Sequence, residues 1–104
     1  MPKELCSKDV IHDKDSATFY IQVQSGKKAF LNYETSKGSV DLWHTEVPEE
    51  CRGQGIAGVL AENSIKELAK AFPSCKIILS CTYLQHYYKK HPDKFTHLPN
   101  KIEI

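Results

Sequence analysis

The stretch that most constrains the fold of this chain covers residues 42–72, where an alternating apolar segment leads through a glycine-containing turn into a long amphipathic helix. The turn reads Arg52-Gly53-Gln54-Gly55-Ile56-Ala57. A helix start leaves backbone N–H groups unpaired, and the helix dipole adds partial positive charge there. Glycines in such a turn let an anion approach the backbone closely, which suits a phosphorylated cofactor. Because such glycines also occur in turns without a ligand, the spacing alone leaves both interpretations open.

The length and charge of the chain limit the classes of protein to which it can belong. With 104 residues it is predicted to be one domain, residues 1–104, with its core over about residues 9–97. The formal net charge is +1, and no run of basic residues is interleaved with aromatic ones. This composition gives no electrostatic argument for binding nucleic acid or an anionic membrane.

The N-terminal sequence and the cysteines bear on the compartment. The first ten residues contain no apolar segment of signal-peptide length, and no transmembrane span follows them. We therefore expect an intracellular, cytoplasmic protein. The cysteines are then expected to be free thiols; they are Cys6, Cys51, Cys75 and Cys81. A monomer or a weak dimer is expected.

The first half of the chain carries the alternating pattern of a β-sheet. In residues 17–24, the side chains of Phe19, Ile21 and Val23 fall on one face, which is the two-residue period of a strand. Similar segments between polar turns predict four strands, at residues 9–12, 17–24, 29–33 and 40–47. The links between them are short, so these strands should form an antiparallel meander.

The second half predicts a helix, a strand and a second helix, which completes a mixed α/β fold. Apolar residues recur every three or four positions in the first helix, at Ala57, Ala61, Ile65, Leu68 and Phe72. Residues 76–81 form a nearly continuous apolar run, typical of a strand buried on both faces. Residues 82–91 predict the second helix, and the remainder is expected to be a loop or tail. Because strand–helix–strand units are right-handed, the strands at 40–47 and 76–81 should be parallel.

Three segments of the chain together resemble one family of enzymes. The turn and the residues before it resemble motif A of the GNAT acetyltransferase superfamily, Arg/Gln-x-x-Gly-x-Gly/Ala, which maps onto Arg52, Gly55 and Ala57. The segments Leu42-x-His44-Thr45-x-Val47-Pro48 and Ser80-Cys81-x-Tyr83 resemble the abbreviated single-domain members. The resemblance runs from about residue 9 to residue 97 and implies a minimal GNAT-like fold.

The resemblance implies a cofactor and a reaction. The cofactor is acetyl-CoA, and the reaction moves its acetyl group to an amine, on a protein lysine or a small molecule. The backbone amides of the turn would hold the pyrophosphate, and the strand before the turn would pair with the pantetheine arm. The implied cofactor-binding residues are Thr45, Glu46, Val47, Arg52, Gly53, Gln54, Gly55, Ile56, Ala57, Gly58, Cys81, Tyr83 and Tyr87.

Acetyl transfer to an amine requires a base for the amine and a proton for the leaving thiolate. Cys81 ends the predicted fifth strand and is a candidate either to take the acetyl group or to protonate CoA; a buried, inert cysteine is the alternative. His44 and Glu46 are two apart on one strand, so they should share a face, and either is a candidate base; a structural histidine bonded to the backbone is the alternative for His44. Tyr83 is a candidate proton donor.

Several other residues are better explained by structural roles than by catalysis or metal binding. Trp43 is expected on the opposite strand face from His44, in the core. Tyr87 is more simply a packing residue than a channel residue. The cysteines and histidines after residue 74 contain no C-x-x-C or H-x-x-x-H spacing, so no metal site is predicted.

The chain is short for the family that it resembles. Full-size GNAT enzymes carry helices between the first two strands and further strands at the C-terminus, and these help to build the acceptor pocket. Here only Asp13–Ser16 separates the first two strands, so the acceptor side should be open. The alternative to an enzyme is a non-catalytic CoA-binding or protein-interaction module.

Overall fold

In the residues that the structure describes, the chain folds into a six-stranded sheet whose neighbours follow chain order, with two α-helices packed on one face. The computed structural model describes residues 10–22, 27–51 and 55–104. The elements are β1 (Ile11–Asp13), β2 (Thr18–Gln22), β3 (Lys28–Ser36), β4 (Ser39–Glu46), α1 (Ile56–Ala71), β5 (Lys76–Leu79), α2 (Thr82–Lys90) and β6 (Ile102–Glu103). The predicted mixed α/β fold is confirmed.

The antiparallel meander from β1 to β4 is confirmed, with different strand lengths. β3 is longer than residues 29–33 because the β3–β4 hairpin pairs as far as Ser36 with Ser39. The two-residue turn between them contains Gly38 at φ 78°, a left-handed conformation that glycine adopts without a steric cost. Residues 23 and 24 of the predicted second strand lie outside the described residues.

The strand–helix–strand unit places β5 parallel to β4, as predicted. α1 begins at Ile56 and crosses the sheet, burying a stripe of side chains against β2, β3 and β4. The buried residues of α1 are Ile56, Leu60, Ala61, Ser64, Ile65, Leu68 and Ala69. They pack against the side chains that β2 to β5 direct to the same face, such as Phe19, Leu31 and Leu42. This single layer of contacts forms the core.

The C-terminal tail adds a strand that the sequence did not predict. β6 pairs parallel with β5, through Ile77 with Ile102 and Ile78 with Glu103. The Asn100 side-chain amide precedes it and donates to the carbonyl oxygens of Phe72 (2.8 Å) and Cys75 (2.7 Å). Two residues are too few to carry a strand period, so the pairing depends on tertiary contacts that no sequence pattern displays.

Only one face of the sheet carries helices in the part of the chain that the structure describes. We call the other side the open face; strand pairing places on it Tyr20, Phe30, Asn32, Glu34, Asp41 and Ile78. The expectation that the fifth strand is buried on both faces is therefore wrong. Ile77 and Leu79 are fully buried, whereas Ile78 on the open face is half-buried.

No helix in the described ranges is long and apolar enough to cross a membrane.

Candidate functional site

The functional site begins where two parallel strands separate. β4 and β5 stay in register only as far as Leu42 with Leu79. Beyond that pair, the backbone N–H groups of Ser80 and Cys81 both donate to the Leu42 carbonyl oxygen, at 3.1 Å each. The chain then turns into α2 while β4 continues to Glu46. The strands diverge around a cavity of about 690 Å³.

The walls of this cavity come from the end of β4, the start of α1 and the start of α2. The lining residues are Thr45, Glu46, Val47, Cys51, Gly55, Ile56, Ala57, Gly58 and Tyr83. The resemblance implies eight of these nine residues, and the ninth is Cys51. The sequence pattern predicts no role for Cys51 beyond that of a free thiol. Its position directly before Arg52 was the signal that could have placed it at the turn.

The start of α1 leaves backbone donors facing this cavity. Gly55 precedes the helix at φ 76°, and no side chain caps the helix start. The first backbone bond runs from the Val59 N–H to the Gly55 carbonyl oxygen, 3.1 Å. The N–H groups of Ile56, Ala57 and Gly58 therefore have no intrahelical acceptor. Uncapped amides and a helix dipole beside a cavity suit an anionic group such as a phosphate.

The turn before the helix also has room for a ligand. A Cβ built at Gly55 would meet nothing within 4 Å, so the space above this residue is open. Arg52, Gly53 and Gln54, which the resemblance also assigns to the cofactor, lie outside the described residues.

β4 contains an irregularity that the sequence did not predict. Asn32 pairs with His44, but Tyr33 pairs with Leu42, so Trp43 is an extra residue in a β-bulge. The prediction that Trp43 lies in the core is wrong: its side chain is 50% exposed, and its ring centroid is 5.6 Å from that of His44. The bulge interrupts the alternation on which that prediction depended.

The bulge also decides which side chains of β4 face the helices. Beyond it, Thr45 pairs with the core residue Leu31 and lies on the helix side. His44 and Glu46 pair with Asn32 and Phe30 and share the open face. Glu46 is exposed and lines the cavity, whereas His44 is half-buried, 5.9 Å between ring centroids from Phe30, and is not among the lining residues.

Cys81 is not among the lining residues of the cavity, but it contacts a residue that is. The expectation that it ends the fifth strand is wrong, because β5 ends at Leu79 and Cys81 is the N-cap residue of α2. Its thiol is half-buried and donates to the Thr45 hydroxyl, with 3.4 Å between Sγ and Oγ1. Thr45 itself lines the cavity, so the thiol borders the space at the point where β4 and α2 meet.

The two tyrosines of α2 have different surroundings. Tyr83 lines the cavity, and burial raises its pKa above the usual value, with nearby Tyr87 and Cys81 adding to the shift. Its phenol therefore carries its proton at neutral pH. Tyr87 packs behind the helix start instead, since a Cβ at Gly58 would lie 3.1 Å from its ring. The rings of Tyr83 and Tyr87 are stacked, with 6.3 Å between centroids.

The remaining polar groups give no sign of a metal centre. Among residues 10–22, 27–51 and 55–104, no three histidine, cysteine or acidic side chains are grouped closely enough to hold an ion. Cys51, Cys75 and Cys81 are free thiols. Cys6 lies outside the described residues.

Comparison with known proteins identifies one family and a set of similar proteins. Residues 18–98 match the family described as GCN5-related N-acetyl-transferase. Protein NATD1 of Gallus gallus is 37% identical over 100 residues, which cover 94% of this chain and 84% of that protein. Protein NATD1 of Danio rerio is 41% identical over 85 residues, 80% of this chain and 76% of that protein. Protein NATD1 of Homo sapiens is 37% identical over 100 residues, 94% of this chain and 82% of that protein.

The sheet with parallel β4 and β5, the uncapped glycine start of α1 and the match over residues 18–98 all agree. The chain belongs to the GCN5-related N-acetyltransferase family.

Proposed function

We propose that this protein binds acetyl-CoA in the gap between β4 and β5 and transfers the acetyl group to a primary amine. The observation that carries the proposal is the cavity where the strands diverge, bordered on one side by the uncapped amides of Ile56, Ala57 and Gly58. A diphosphate at these amides would gain hydrogen bonds and the favourable end of the helix dipole. We also propose an intracellular location.

Different residues of the cavity would bind different parts of the cofactor. The turn at Gly55 and the first turn of α1 would hold the pyrophosphate, because they offer free N–H groups. β4 would pair with the pantetheine amides, because beyond Leu42 this edge of β4 has no partner strand among the described residues. Acetyl-CoA supplies an acetyl thioester, whose carbonyl is open to attack by an amine.

Side chains of this protein would accept and donate the protons of the reaction. A protonated amine cannot attack, so His44 or Glu46, which share the open face of β4, would accept its proton. Tyr83 or Cys81 would donate a proton to the departing thiolate; the raised pKa of Tyr83 keeps its phenol in the donating form. A second route for Cys81 is to take the acetyl group on its sulfur and pass it to the amine.

The pyrophosphate site can be tested with a matched pair of substitutions at Gly55. Gly55→Asp and Gly55→Asn have the same shape and the same left-handed strain, but only the aspartate carries a charge. A carboxylate here would repel the diphosphate, so calorimetry with CoA should give affinity for Gly55→Asp roughly tenfold or more below that of Gly55→Asn.

The two variants should unfold at similar denaturant concentrations, since both residues tolerate the left-handed conformation. Equal CoA affinity of the two variants would contradict the placement of the pyrophosphate. Release of free CoA in the presence of amines then separates an enzyme from a binding module. Tight CoA binding with no release across lysine peptides and small amines would favour the module.

A further inference from the structure

The open face of the sheet carries a band of aromatic residues. Tyr20 pairs directly with Phe30 across β2 and β3. The ring of Phe30 lies 5.9 Å from that of His44, and the ring of His44 lies 5.6 Å from that of Trp43. The band therefore spans three strands, and it ends at an indole that is half exposed. An exposed ring on a bulge next to a cavity is a position suited to contact with a partner.

The charges around this band have one predominant sign. Strand pairing places five carboxylates on the open face, from Asp13, Glu34, Asp41, Glu46 and Glu103. The same paired positions contain two lysines, Lys28 and Lys76. Lys76 is 3.4 Å from the Glu103 carboxylate, and Lys28 lies over the ring of Tyr20, 4.5 Å from its centroid. The acidic excess therefore falls on β3 and β4, although the whole chain has a net charge of +1.

The carboxylates next to Trp43 are held close together. Glu34 and Asp41 are directly opposite one another on β3 and β4, an arrangement of like charges that costs stability in a sheet. The Oδ1 atom of Asp41 is buried and has no hydrogen-bond partner among the described residues. A cation bound beside these two carboxylates would relieve the repulsion between them.

This arrangement favours one kind of partner over the others. A second copy of the chain, docked face to face about a two-fold axis, would place the acidic excess against itself. An anionic membrane or a nucleic acid would be repelled. A peptide that carries several lysines complements the carboxylates, and its ammonium groups also bind the face of a tryptophan ring.

We propose that the open face of β3 and β4 is a docking surface for a lysine-containing peptide segment, which presents one lysine to the gap between β4 and β5. Glu34 and Asp41 hold flanking lysines, and Trp43 packs on the stem of another. Glu46 belongs both to this face and to the cavity lining, so the surface leads directly to the gap. Only the last step, in which a lysine is presented to the gap between β4 and β5, rests on the proposed function.

The experiment uses Trp43, the only tryptophan of the chain, as an internal probe. The protein, without CoA, is titrated with a short peptide in which several lysines are spaced by glycine and serine. The emission of Trp43 should change and saturate, and rising salt should weaken the binding through screening. The double substitution Glu34→Gln with Asp41→Asn should weaken binding about 2- to 5-fold for each carboxylate.

Controls separate docking from general attraction between charges. Asp93→Asn removes the same charge from the helix side, where Asp93 lies in the 3₁₀ turn after α2, and should leave peptide affinity unchanged. The same peptide with acetylated lysines should not bind. An unchanged Trp43 emission, or an Asp93→Asn effect equal to that of the double variant, would overturn the proposal.

Two further outcomes would contradict a lysine-containing peptide as the partner and favour a different one. Equal affinity for spermine would favour a small polyamine, and face-to-face dimers in sedimentation analysis would favour a second copy. CoA affinity is measured separately on the same proteins. Loss of CoA binding with retained peptide binding would contradict the proposed function alone, and the reverse would contradict this inference alone.

Discussion

Cys81 occupies a position with two chemical features. It is the N-cap residue of α2, where the helix dipole stabilises negative charge, and its thiol contacts Thr45 at the edge of the cavity. Both features place the sulfur where it can act on a group bound in the cavity. Cys75 provides a comparison, because it is also half-buried but lies in the turn after α1, away from the cavity lining.

We predict that Cys81→Ala lowers the turnover number by about 100-fold or more, the typical contribution of one group that transfers a proton or an acyl group. CoA affinity should change far less, since the turn and α1 hold the pyrophosphate in the proposed mode. Steady-state kinetics and calorimetry on the same preparation measure the two effects. Cys75→Ala should leave turnover unchanged, and normal turnover by Cys81→Ala would exclude a catalytic thiol.

Single residues in β4 also show where inference from sequence stops. The alternation of residues 40–47 correctly places His44 and Glu46 on one face, because both lie beyond the bulge. It fails at Trp43, because one inserted residue changes the direction of the side chains. No residue type marks the bulge in this chain, so the exposure of Trp43 could be learned only from the pairing register.

At the scale of elements, the contact between α1 and α2 fixes the shape of the cavity. Gly58 faces the ring of Tyr87, which is enclosed by other rings: His91 is 4.6 Å and Phe95 6.3 Å away between centroids. An ion pair between Lys94 and Glu62, 2.9 Å, joins the same two regions. The stack between Tyr87 and Tyr83 links this contact to the cavity, since Tyr83 is a lining residue.

A double-mutant cycle tests this contact. In the natural background, Gly58→Ala should be neutral or destabilising by up to about 1 kcal/mol, because the new methyl group would press on the Tyr87 ring. In a Tyr87→Ala background the same substitution should stabilise by up to about 1 kcal/mol, since alanine is the better helix former. Urea denaturation of the four proteins gives the coupling. Equal effects of Gly58→Ala in the two backgrounds would show that the ring is free to move.

The elements that the sequence predicts best are those in which a periodic pattern extends over many residues. α1 has sixteen residues with a regular apolar stripe, and its partner strands follow from the handedness of such units. β6 has two residues and no period, so its pairing with β5 could not be predicted. The walls of the site could be anticipated because the glycine turn and the end of β4 are adjacent in sequence to the helix start.

At the scale of the whole molecule, the core is a single layer between the sheet and two helices. Tyr33 marks its edge: its side chain is 7% exposed, and its hydroxyl is 2.6 Å from His12 Nε2. The other ring nitrogen of His12 faces the carboxylate of Glu67 on α1. This chain of contacts ties β1, β3 and α1 together.

Stability should decrease at alkaline pH because three tyrosine phenols are partly desolvated in the fold. Burial raises the pKa of Tyr33, and the charges of Glu67 and Asp13 raise it further. Burial also raises the pKa of Tyr83 and Tyr87. Such groups stabilise the fold fully below their unfolded pKa of about 10, and the contribution is lost as the pH rises through the folded value.

The pH dependence can be measured as the urea midpoint from neutral pH to above pH 10. Tyr33→Phe should lower stability at neutral pH, since His12 Nε2 loses its partner, by about 1 kcal/mol. The same variant should have a shallower decline at high pH than the natural protein. Parallel declines in the two proteins would contradict a titrating Tyr33.

Within the described residues, the sheet is bounded by two very short strands, three residues in β1 and two in β6. Long exposed edges are templates on which other chains can add strands and build fibrils. Edges this short give an incoming strand little to pair with, so these two edges should be poor templates for polymerisation. A partner protein that docks on the sheet must then use its open face rather than its two outer edges.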